Sequence, residues 1–382
     1  MIHRDIDSGK RNGLLFLSCI AVCALLAGGC GIYVSDSPDP DSKKSASSQS
    51  EDSAASEYAS GADEDAGGSG DTDAAGGDSV TLTVSAVGDC TLGMDENATY
   101  STSLVAKYEE EGASYFFAGV YDVLSADDLT IANFEGVLTE SEDREDKSFA
   151  FKGDPEYTSI LTDGSIEAVN LANNHSHDYG DESYTDTITY LEEAGIASFG
   201  YDRYSVLEVN GVQVGLIGIY ELADGIDCED DMLEMMEEVE KAGAELIIVT
   251  FHWGEELETT PDETQVELAH AAIDAGADLV IGHHPHVLQG IEVYNGKNIV
   301  YSLGNFCFGG NSNPDDKDTM IFQQTFTVTD GEVADDNVTN IVPCSLSSVS
   351  DSNDYQPTVL TGDEADEVLA KIEELSEGLS EE

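Results

Sequence analysis

The chain has few basic residues, few cysteines and no apolar run long enough to cross a membrane. Its 382 residues contain 14 Lys and Arg against 79 Asp and Glu, a formal net charge of −65. Because Lys and Arg bind phosphate backbones and anionic lipids, this balance argues against nucleic acid as a partner and against a basic membrane-docking patch. Seven cysteines without a Cys-x-x-Cys pair exclude a disulfide scaffold and zinc fingers.

The N-terminus has the pattern of an export signal. Arg4, Lys10 and Arg11 precede Leu14–Leu26, a run of 13 residues that is too short to span a bilayer. This pattern predicts a signal peptide over residues 1–29. The sequence Leu-Ala-Gly-Gly-Cys then resembles a bacterial lipobox, which predicts that Cys30 is lipidated and anchors the protein on the extracellular face of the cell membrane. Ordinary signal cleavage nearby and an uncleaved anchor are the alternatives.

Composition divides the rest of the chain into three parts. Residues 30–79 are mainly Ser, Ala, Gly, Asp and Glu, a composition that predicts a disordered acidic tether because it has too little apolar surface to bury. Residues 80–345 are patterned and predict one domain. Residues 346–382 predict an acidic C-terminal extension with a helix. Four cysteines of the body allow one or two disulfides: Cys90, Cys228, Cys307 and Cys344.

Short apolar runs alternate with helical patterns, which indicates α/β units with parallel strands. Strands are predicted at Thr81–Val87, Leu129–Asn133, Ala168–Leu171, Val212–Ile219, Leu246–Phe251, Leu279–Gly282 and Met320–Thr329. Helices are predicted at Tyr115–Leu124, Tyr157–Leu161, Glu182–Ala194, Asp230–Ala242, Thr264–Ala275 and Ala365–Leu379. Asn295-Gly296 predicts a hairpin between Ile291–Tyr294 and Asn298–Leu303.

Polar residues follow five of the predicted strands at the points where they end. In chain order they are Asp89; Asn133 and Glu135; Asn173, Asn174, His175, His177 and Asp178; His252, Glu255 and Glu256; and His283, His284 and His286. Open α/β sheets bind ligands at the carboxyl ends of their strands. Six of the seven His in the body lie in these loops, and His270, in a predicted helix, is the exception.

These residue types together are ligands for Zn, Mn or Fe ions, and a pair of ions needs roughly six or seven of them. Taken singly, most of the loops have simpler explanations: an Asx turn at Asp89, a helix cap at Asn173-Asn174, or an aromatic pair at His252-Trp253. The three imidazoles between His283 and His286 have little use in packing. Their joint occurrence at strand ends favours a metal site.

The segments that carry these residues resemble the CapA, or poly-γ-glutamate synthesis, family of capsule-biosynthesis proteins, a branch of the calcineurin-like metallophosphatase superfamily. The matching segments are A-V-G-D-C-T-L-G at 86–93, A-N-F-E-G at 132–136, F-K-G-D-P at 151–155, N-L-A-N-N-H-S-H-D-Y-G at 170–180, F-H-W-G-E-E at 251–256, G-H-H-P-H-V-L-Q at 282–289 and Y-S-L-G-N-F at 301–306. They extend over essentially all of residues 80–345.

The resemblance implies a four-layer α/β/β/α sandwich of two mixed sheets with a dinuclear metal site at one edge. It implies the following ligands: Asp89 and His286 for a first ion, Asn174, His252 and His284 for a second, and Glu135 between the two. It implies that His175 protonates a leaving group, and that Asp178, Glu256 and Asn305 orient the other residues. His283 stands where members often have Ala and is not expected to be a ligand, and Thr91 stands where most metallophosphatases have His.

The function implied is metal-dependent hydrolysis or transfer on an anionic envelope polymer such as poly-γ-glutamate, or on a phosphoester. Because the chain is so acidic, it should repel a polyanion. We therefore expect Arg144, Lys147 and Lys152, which are close together in the sequence, to receive substrate anions; an incidental solvated loop is the alternative. Two other classes stay open: a non-catalytic component of a membrane-bound polymer synthesis and export complex, and a surface lipoprotein that passes metal cations.

Overall fold

Residues 79–379 are the part of the chain that the computed structural model describes. The predicted signal peptide, the lipidation site Cys30 and nearly all of the predicted tether lie outside the described residues and stay predictions. Within the described range no helix is both long enough and apolar enough to cross a membrane.

Strands and helices alternate over most of this range, with a run of strands before the last helix. The strands are β1 Ser79–Thr91, β2 Met94–Asp95, β3 Leu129–Phe134, β4 Val137–Leu138, β5 Phe151–Gly153, β6 Ala168–Asn170, β7 Ala197–Phe199, β8 Tyr204–Val209, β9 Val212–Tyr220, β10 Leu246–His252, β11 Leu279–His283, β12 Ile291–Tyr294, β13 Lys297–Val300, β14 Asn305–Phe308, β15 Asp318–Thr329, β16 Glu332–Val333, β17 Val338–Ser345 and β18 Thr358–Val359. The α-helices are α1 Leu104–Glu111, α2 Tyr121–Leu124, α3 Thr158–Asp163, α4 Gly180–Glu193, α5 Glu221–Asp224, α6 Cys228–Lys241, α7 Glu263–Asp274 and α8 Asp363–Ser376.

The strands of the described residues form two large mixed sheets and a small one. The larger sheet has nine strands in the order β18-β17-β15-β1-β3-β6-β7, with β14 beside β1 and β16 beside β15. The second has six strands in the order β12-β13-β11-β10-β9-β8, and the small sheet is β2-β5-β4. Strands β1, β3 and β6 are parallel, as are β9, β10 and β11, so each large sheet brings the carboxyl ends of three strands to one edge.

Three apolar layers hold the sheets and helices together. The central layer joins the facing sides of the two sheets, with Leu82 and Ile131 from one sheet and Leu216 and Ile281 from the other. A second layer covers the outer side of the nine-stranded sheet and includes residues of α1 to α4. A third packs α6 and α7 on the outer side of the six-stranded sheet. Burying one large apolar side chain contributes about 1.5–3 kcal/mol, so these layers account for the four-layer arrangement, and the predicted fold class is confirmed.

The predicted helix Tyr115–Leu124 is wrong. The structure has a 3-10 turn at Ala113–Tyr115 and a short helix, α2, with turns between them. The interruption contains Gly119. Its carbonyl accepts a hydrogen bond of 3.3 Å from the backbone N–H of Val359, a residue of β18. Glycine has low helix propensity, and this tertiary hydrogen bond uses a carbonyl that a continuous helix would need. Most of the other predicted elements agree with the structure to within a few residues, and the Asn295-Gly296 hairpin is confirmed.

The C-terminal segment packs onto the sheets through α8. Val368 and Ile372 of this helix belong to the central apolar layer. Lys371 forms ion pairs with Asp316 and Asp318 at 2.7 and 2.8 Å. The last helix therefore covers the edge of the central layer near β12 and β17.

The cysteines of the described residues are all free thiols. Cys90, Cys228, Cys307 and Cys344 are buried, and none is in a disulfide. Burial raises the pKa of the Cys228 thiol to about 12. Burial in the second apolar layer raises the pKa of the Cys344 thiol to about 12 as well. These cysteines therefore serve as small apolar core residues, and the disulfides that the sequence allowed are not formed here.

Candidate metal centre

The predicted polar residues meet at the edge where the parallel strands of both sheets end. Asp89 lies near the end of β1, Asn133 near the end of β3, and Glu135 directly follows that strand. From the other sheet, His252 ends β10 and His283 ends β11, and the two residues are aligned partners in the strand pairing. Asp89, Glu135 and His252 have no exposed surface, although they lie where loops begin.

The backbone around Asp89 departs from regular pairing. The register of β1 with β3 shifts between Ala86 and Asp89, and that with β14 shifts between Asp89 and Thr91. A Cβ on Gly88 would lie 2.0 Å from the carbonyl oxygen of Gly304, so only glycine permits this approach. Register irregularities redirect side chains, and this one turns the Asp89 carboxylate toward the facing sheet.

Two histidines of the last loop have left-handed backbone conformations. The φ angles are 99° at His284 and 59° at His286, values that are uncommon for residues other than glycine and asparagine. Such conformations cost about 1–3 kcal/mol each and persist only where the surroundings impose them. Both strained residues direct imidazoles into the same edge of the fold.

A network of side-chain amides holds the Asp89 carboxylate in position. Asn133 donates from Nδ2 to Asp89 Oδ1 at 2.9 Å, and the same nitrogen lies 3.4 Å from Nδ1 of His252. The Asn133 amide oxygen accepts hydrogen bonds from Asn170 and Asn173 at 3.0 and 3.2 Å. Burial alone would raise the pKa of Asp89, but the imidazoles of His283 and His286 outweigh it and hold the pKa well below its usual range.

Glu135 is a buried carboxylate without hydrogen bonds. Among the described residues neither of its oxygens has a hydrogen-bond partner. The nearest imidazole nitrogens are Nε2 of His286 at 3.7 Å and Nε2 of His175 at 3.9 Å from Oε1. Burial raises the pKa of Glu135 to about 8, while the His286 charge opposes that rise. An unpartnered carboxylate in the interior is costly, and a cation is the kind of group that would satisfy it.

His252 and Asn174 face each other across the two sheets. Nε2 of His252 is 2.9 Å from Oδ1 of Asn174, and the His252 ring lies 4.7 Å from that of His284. Phe251 and Trp253, on either side of His252, point the other way into the third apolar layer, beneath α6 and α7. Their rings stack with centroids 4.4 Å apart. Burial is the main cause that lowers the pKa of His252 and the pKa of His284, the latter to about 4. Both imidazoles are therefore neutral at pH 7, the form that binds metals.

His286 lies between two carboxylates. Its Nδ1 is 3.0 Å from Asn305 Oδ1 and 3.1 Å from Asp89 Oδ2. Burial would lower the pKa of His286, but the charges of Glu135 and Asp89 raise it to about 9. Asn305 also donates from Nδ2 to the His286 carbonyl at 3.2 Å, so it fixes the loop and the ring together.

The ligand atoms form two groups with spacings that suit metal ions. One group is Asp89, Glu135 and His252, and the other is Glu256, His284 and His286; within each group the ligand atoms lie within 4.8 Å of one another. Carboxylate and imidazole groups are the ligands of Zn, Mn and Fe, so the donor set and the unpartnered Glu135 both fit divalent ions. Glu256, for which the family resemblance implied an orienting role, stands as close to the histidines as a ligand would.

His175 lies beside these groups and is held by Asp178. Its Nδ1 is 2.7 Å from Asp178 Oδ2, which leaves Nε2 directed toward Glu135. The ring also packs on Phe151 at 4.5 Å. Burial lowers the pKa of His175, and the Asp178 carboxylate opposes the shift. The pair has the arrangement of a proton-transferring imidazole with an orienting carboxylate.

The three basic residues near the centre are all engaged with carboxylates. Lys147 contacts Asp178 at 2.6 Å and lies 3.4 Å from Nδ1 of His175. Arg144 pairs with Asp95 at 2.7 Å. Lys152 pairs with Glu142 at 3.1 Å. Lys147 is thus the member of the trio that reaches the candidate site, whereas the pairs of Arg144 and Lys152 hold the loop in place.

Sequence reasoning did not assign a role to Asn133, Asn170 or Asn173, which hold the buried polar groups in position. The available signal was the run of asparagines at strand ends, since buried amides need partners on both sides. Which amide meets which carboxylate depends on the packing of β1, β3 and β6, and no spacing in the sequence contains that information.

Comparison with known proteins finds relatives named for capsule or PGA biosynthesis. The PGA biosynthesis protein CapA of Bacillus subtilis (strain 168) is 33% identical over 248 residues, 59% of this chain and 63% of that protein. The capsule biosynthesis protein CapA of Bacillus anthracis is 34% identical over 253 residues, 59% of this chain and 60% of that protein. The chain therefore spans less than two thirds of the length of either relative.

Among solved structures, a 5'-nucleotidase from Candida albicans SC5314 is similar with a TM-score of 0.39 and 13% sequence identity, over 76% of this chain and 56% of that one. The family model of the bacterial capsule synthesis protein PGA_cap matches residues 83–310, which is more than half of the 382-residue chain. That range contains Asp89, Glu135, Asn174, His252 and His286. The chain therefore belongs to the bacterial capsule synthesis protein family PGA_cap.

Proposed function

We propose that the protein is a lipid-anchored component of capsule or poly-γ-glutamate synthesis that holds two divalent ions and carries out hydrolysis or transfer on an anionic envelope polymer or a phosphoester. The names of its relatives, which refer to capsule and PGA biosynthesis, support the biological setting. Membership of the PGA_cap family supports it further. The N-terminal sequence, with Cys30 after an export signal, supports anchoring on the outer face of the membrane.

The observation that carries this proposal is Glu135, which is fully buried in the ligand group of Asp89 and His252 with neither oxygen hydrogen-bonded. Its Oε1 lies 3.7 Å from Nε2 of His286 in the other group. Around it, Nε2 of His252 and Oδ1 of Asn174 are 2.9 Å apart, and Nδ1 of His286 is 3.1 Å from Oδ2 of Asp89. Two ligands with bonds of about 2.1 Å at right angles lie about 3.0 Å apart around one ion. The proposed ligands are Asp89, Glu135, Asn174, His252, His284 and His286, with Glu256 at the exposed side.

Two divalent ions, when bound, would supply Lewis acidity and a nucleophile at neutral pH. The chain's own residues do the rest. Asp178 accepts the Nδ1 proton of His175, so in the imidazolium form the second proton stands on Nε2, which would give it to a leaving group and take one back from water. Asn305 holds the His286 carbonyl and Asn133 holds the Asp89 carboxylate, so both ligands keep their orientation. Phe151 packs against the His175 ring and limits water around it.

Metal analysis of the purified full chain, together with an activity screen, tests this proposal. We expect two equivalents of divalent metal per chain and turnover of a generic phosphodiester or of poly-γ-glutamate that a chelator abolishes. Two bound ions without turnover of either substrate would support the alternative, a non-catalytic polymer-binding component of a synthesis and export complex. That alternative is favoured by the ion pairs that already occupy Arg144, Lys147 and Lys152. No bound metal would contradict both.

Replacing Lys147 by glutamine is expected to raise the apparent KM for an anionic substrate by about 10- to 100-fold, because a charge-assisted hydrogen bond contributes about 1.5–3 kcal/mol. Arg144→Gln and Lys152→Gln should have smaller effects, since these side chains pair with carboxylates of the loop and of the β2 region. Steady-state kinetics measures the change.

Lys241→Gln is the matched control, because within residues 79–379 Lys241 forms its ion pair with the exposed Glu237 on α6, away from the ligand groups. A fall in kcat at constant KM would show instead that Lys147 positions His175 through Asp178. Unchanged KM and kcat would remove Lys147 from substrate binding.

A further inference from the structure

His283 is a buried imidazole that the proposed site leaves unused. Only 1% of its surface is exposed, and within the described residues neither ring nitrogen has a hydrogen-bond partner. An unpartnered buried polar group costs about 1–3 kcal/mol. Three other histidines of this edge, His175, His252 and His286, each form a hydrogen bond between a ring nitrogen and a side-chain oxygen. The unsatisfied His283 ring therefore suggests a partner that the chain itself does not provide.

The strand pairing directs His283 toward the ligands. It is the aligned partner of His252 on the neighbouring parallel strand, and aligned residues of adjacent strands point to the same face of a sheet. His283 Nδ1 lies 3.3 Å from Oδ1 of Asp89, an oxygen that also accepts the Asn133 amide. The nitrogen and this oxygen are close but do not form an aligned hydrogen bond. Two ligands of one tetrahedral ion with bonds of about 2.1 Å lie about 3.4 Å apart, close to this spacing.

The group of candidate ligands around Asp89 is one side chain short of a typical zinc site. The group that contains Asp89 has Glu135 and His252 as its other members, three side chains in all, whereas Zn sites commonly have four ligands. His286 Nδ1 also lies 3.1 Å from Asp89 Oδ2, but His286 belongs to the group with Glu256 and His284. Thr91, two residues after Asp89 on β1, is buried with its hydroxyl unpartnered and adds no imidazole. A nitrogen from β11 would complete the set.

We propose that His283 is a direct protein ligand of the divalent ion that Asp89 binds. The inference rests on the metal centre of the proposed function and extends it to a histidine that the family resemblance did not assign. It places three imidazole ligands within four residues: His283 at the buried end of β11, and His284 and His286 at the two strained positions of the loop that follows.

The test compares metal binding by wild type, His283→Ala and His283→Asn, each as the purified full chain stripped with a chelator. Calorimetric titration with Zn²⁺ and Co²⁺ should show that one of the two ions binds at least about 100-fold more weakly in both variants, because loss of a ligand exceeds the effect of losing an orienting residue. The other ion should bind within about threefold of wild type. Proton NMR of the Co²⁺-loaded protein should show one fewer paramagnetically shifted imidazole N–H signal.

His270→Ala is the control, since the His270 ring stacks on Tyr294 and contacts Glu292 at 2.9 Å, away from the ligand groups. Thermal unfolding of the metal-free variants checks folding. Unchanged affinity for both ions would overturn the proposal. Weaker binding with an unchanged set of shifted signals would also overturn it, because His283 would then only orient Asp89. If wild type binds no metal, the proposed function fails as well; if wild type and His283→Ala bind two ions equally, only this inference fails.

Discussion

Replacing Glu135 by glutamine is expected to stabilise the metal-free protein and to remove most of the stabilisation that added metal gives to wild type. Glu135 is fully buried with both oxygens unpartnered, and burial raises its pKa from 4.5 to about 8. At pH 7 the free energy of unfolding of the metal-free wild type is therefore reduced by an amount on the order of 3 kcal/mol, which glutamine would recover. Urea unfolding in a chelator and in excess Zn²⁺ or Mn²⁺ measures both effects.

The same substitution should change the pH dependence of stability. A carboxyl with a raised pKa keeps its proton in the folded state and releases it on unfolding, so stability falls as pH rises from 4.5 to about 8. His286, whose pKa is raised from 6.5 to about 9 mainly by Glu135 against the effect of burial, contributes stability below 6.5 that is lost as pH rises to about 9. The unfolding free energy of Glu135→Gln minus that of metal-free wild type should therefore grow between about pH 4.5 and pH 9. The subtraction removes the contributions of His252 and His284, whose lowered pKa values make stability rise with pH up to 6.5.

Glu140→Gln is the control for Glu135→Gln, because Glu140 is an exposed carboxylate five residues later. It should leave the unfolding free energy and the response to metal unchanged. If Glu135→Gln were less stable than wild type in the chelator at pH 7 to 8, the buried carboxylate would have a partner in the metal-free state. The metal centre would then lose its main support.

Replacing His175 by asparagine is expected to lower kcat by about 10²- to 10⁴-fold while two metal ions remain bound, if the protein is a hydrolase. This is the range by which a positioned proton donor accelerates a reaction, and Nε2 of His175 lies 3.9 Å from Glu135 without belonging to either ligand group. Asp178→Asn should lower kcat less, because His175 keeps its ring but loses the carboxylate at 2.7 Å that fixes its orientation. Single-turnover kinetics and metal analysis measure the two quantities separately.

His177→Asn is the matched control, since His177 lies two residues away and stacks on Tyr184 at 4.6 Å, with a side chain that is 42% exposed. Its kcat should stay near that of wild type. Equal turnover by His175→Asn and wild type would exclude His175 as the proton donor. Loss of metal from His175→Asn would show that its effect arises from the ligands.

The strands that form the site could be predicted because their signals are local. The predicted strands Leu129–Asn133, Leu246–Phe251 and Leu279–Gly282 are mainly apolar, which is typical of buried parallel strands, and each continues by only one residue in the structure. The helix Tyr115–Leu124 could not be predicted correctly, since its periodicity is helical and the hydrogen bond from Val359 to Gly119 comes from a segment more than 200 residues later. Short edge elements such as β18 have no comparable local signal.

The sequence alone determined the chemistry: carboxylate, amide and imidazole groups stand at the ends of successive strands, and parallel strands bring those ends to one edge. Tertiary structure decided which of these groups share a site and in what state. It left Glu135 buried without a partner, engaged Arg144 and Lys152 with carboxylates, and brought Glu256 and His283 close to the ligands. The physical reason is that burial and interatomic distance depend on how two sheets from distant parts of the chain pack face to face, whereas residue type and strand period are properties of short segments.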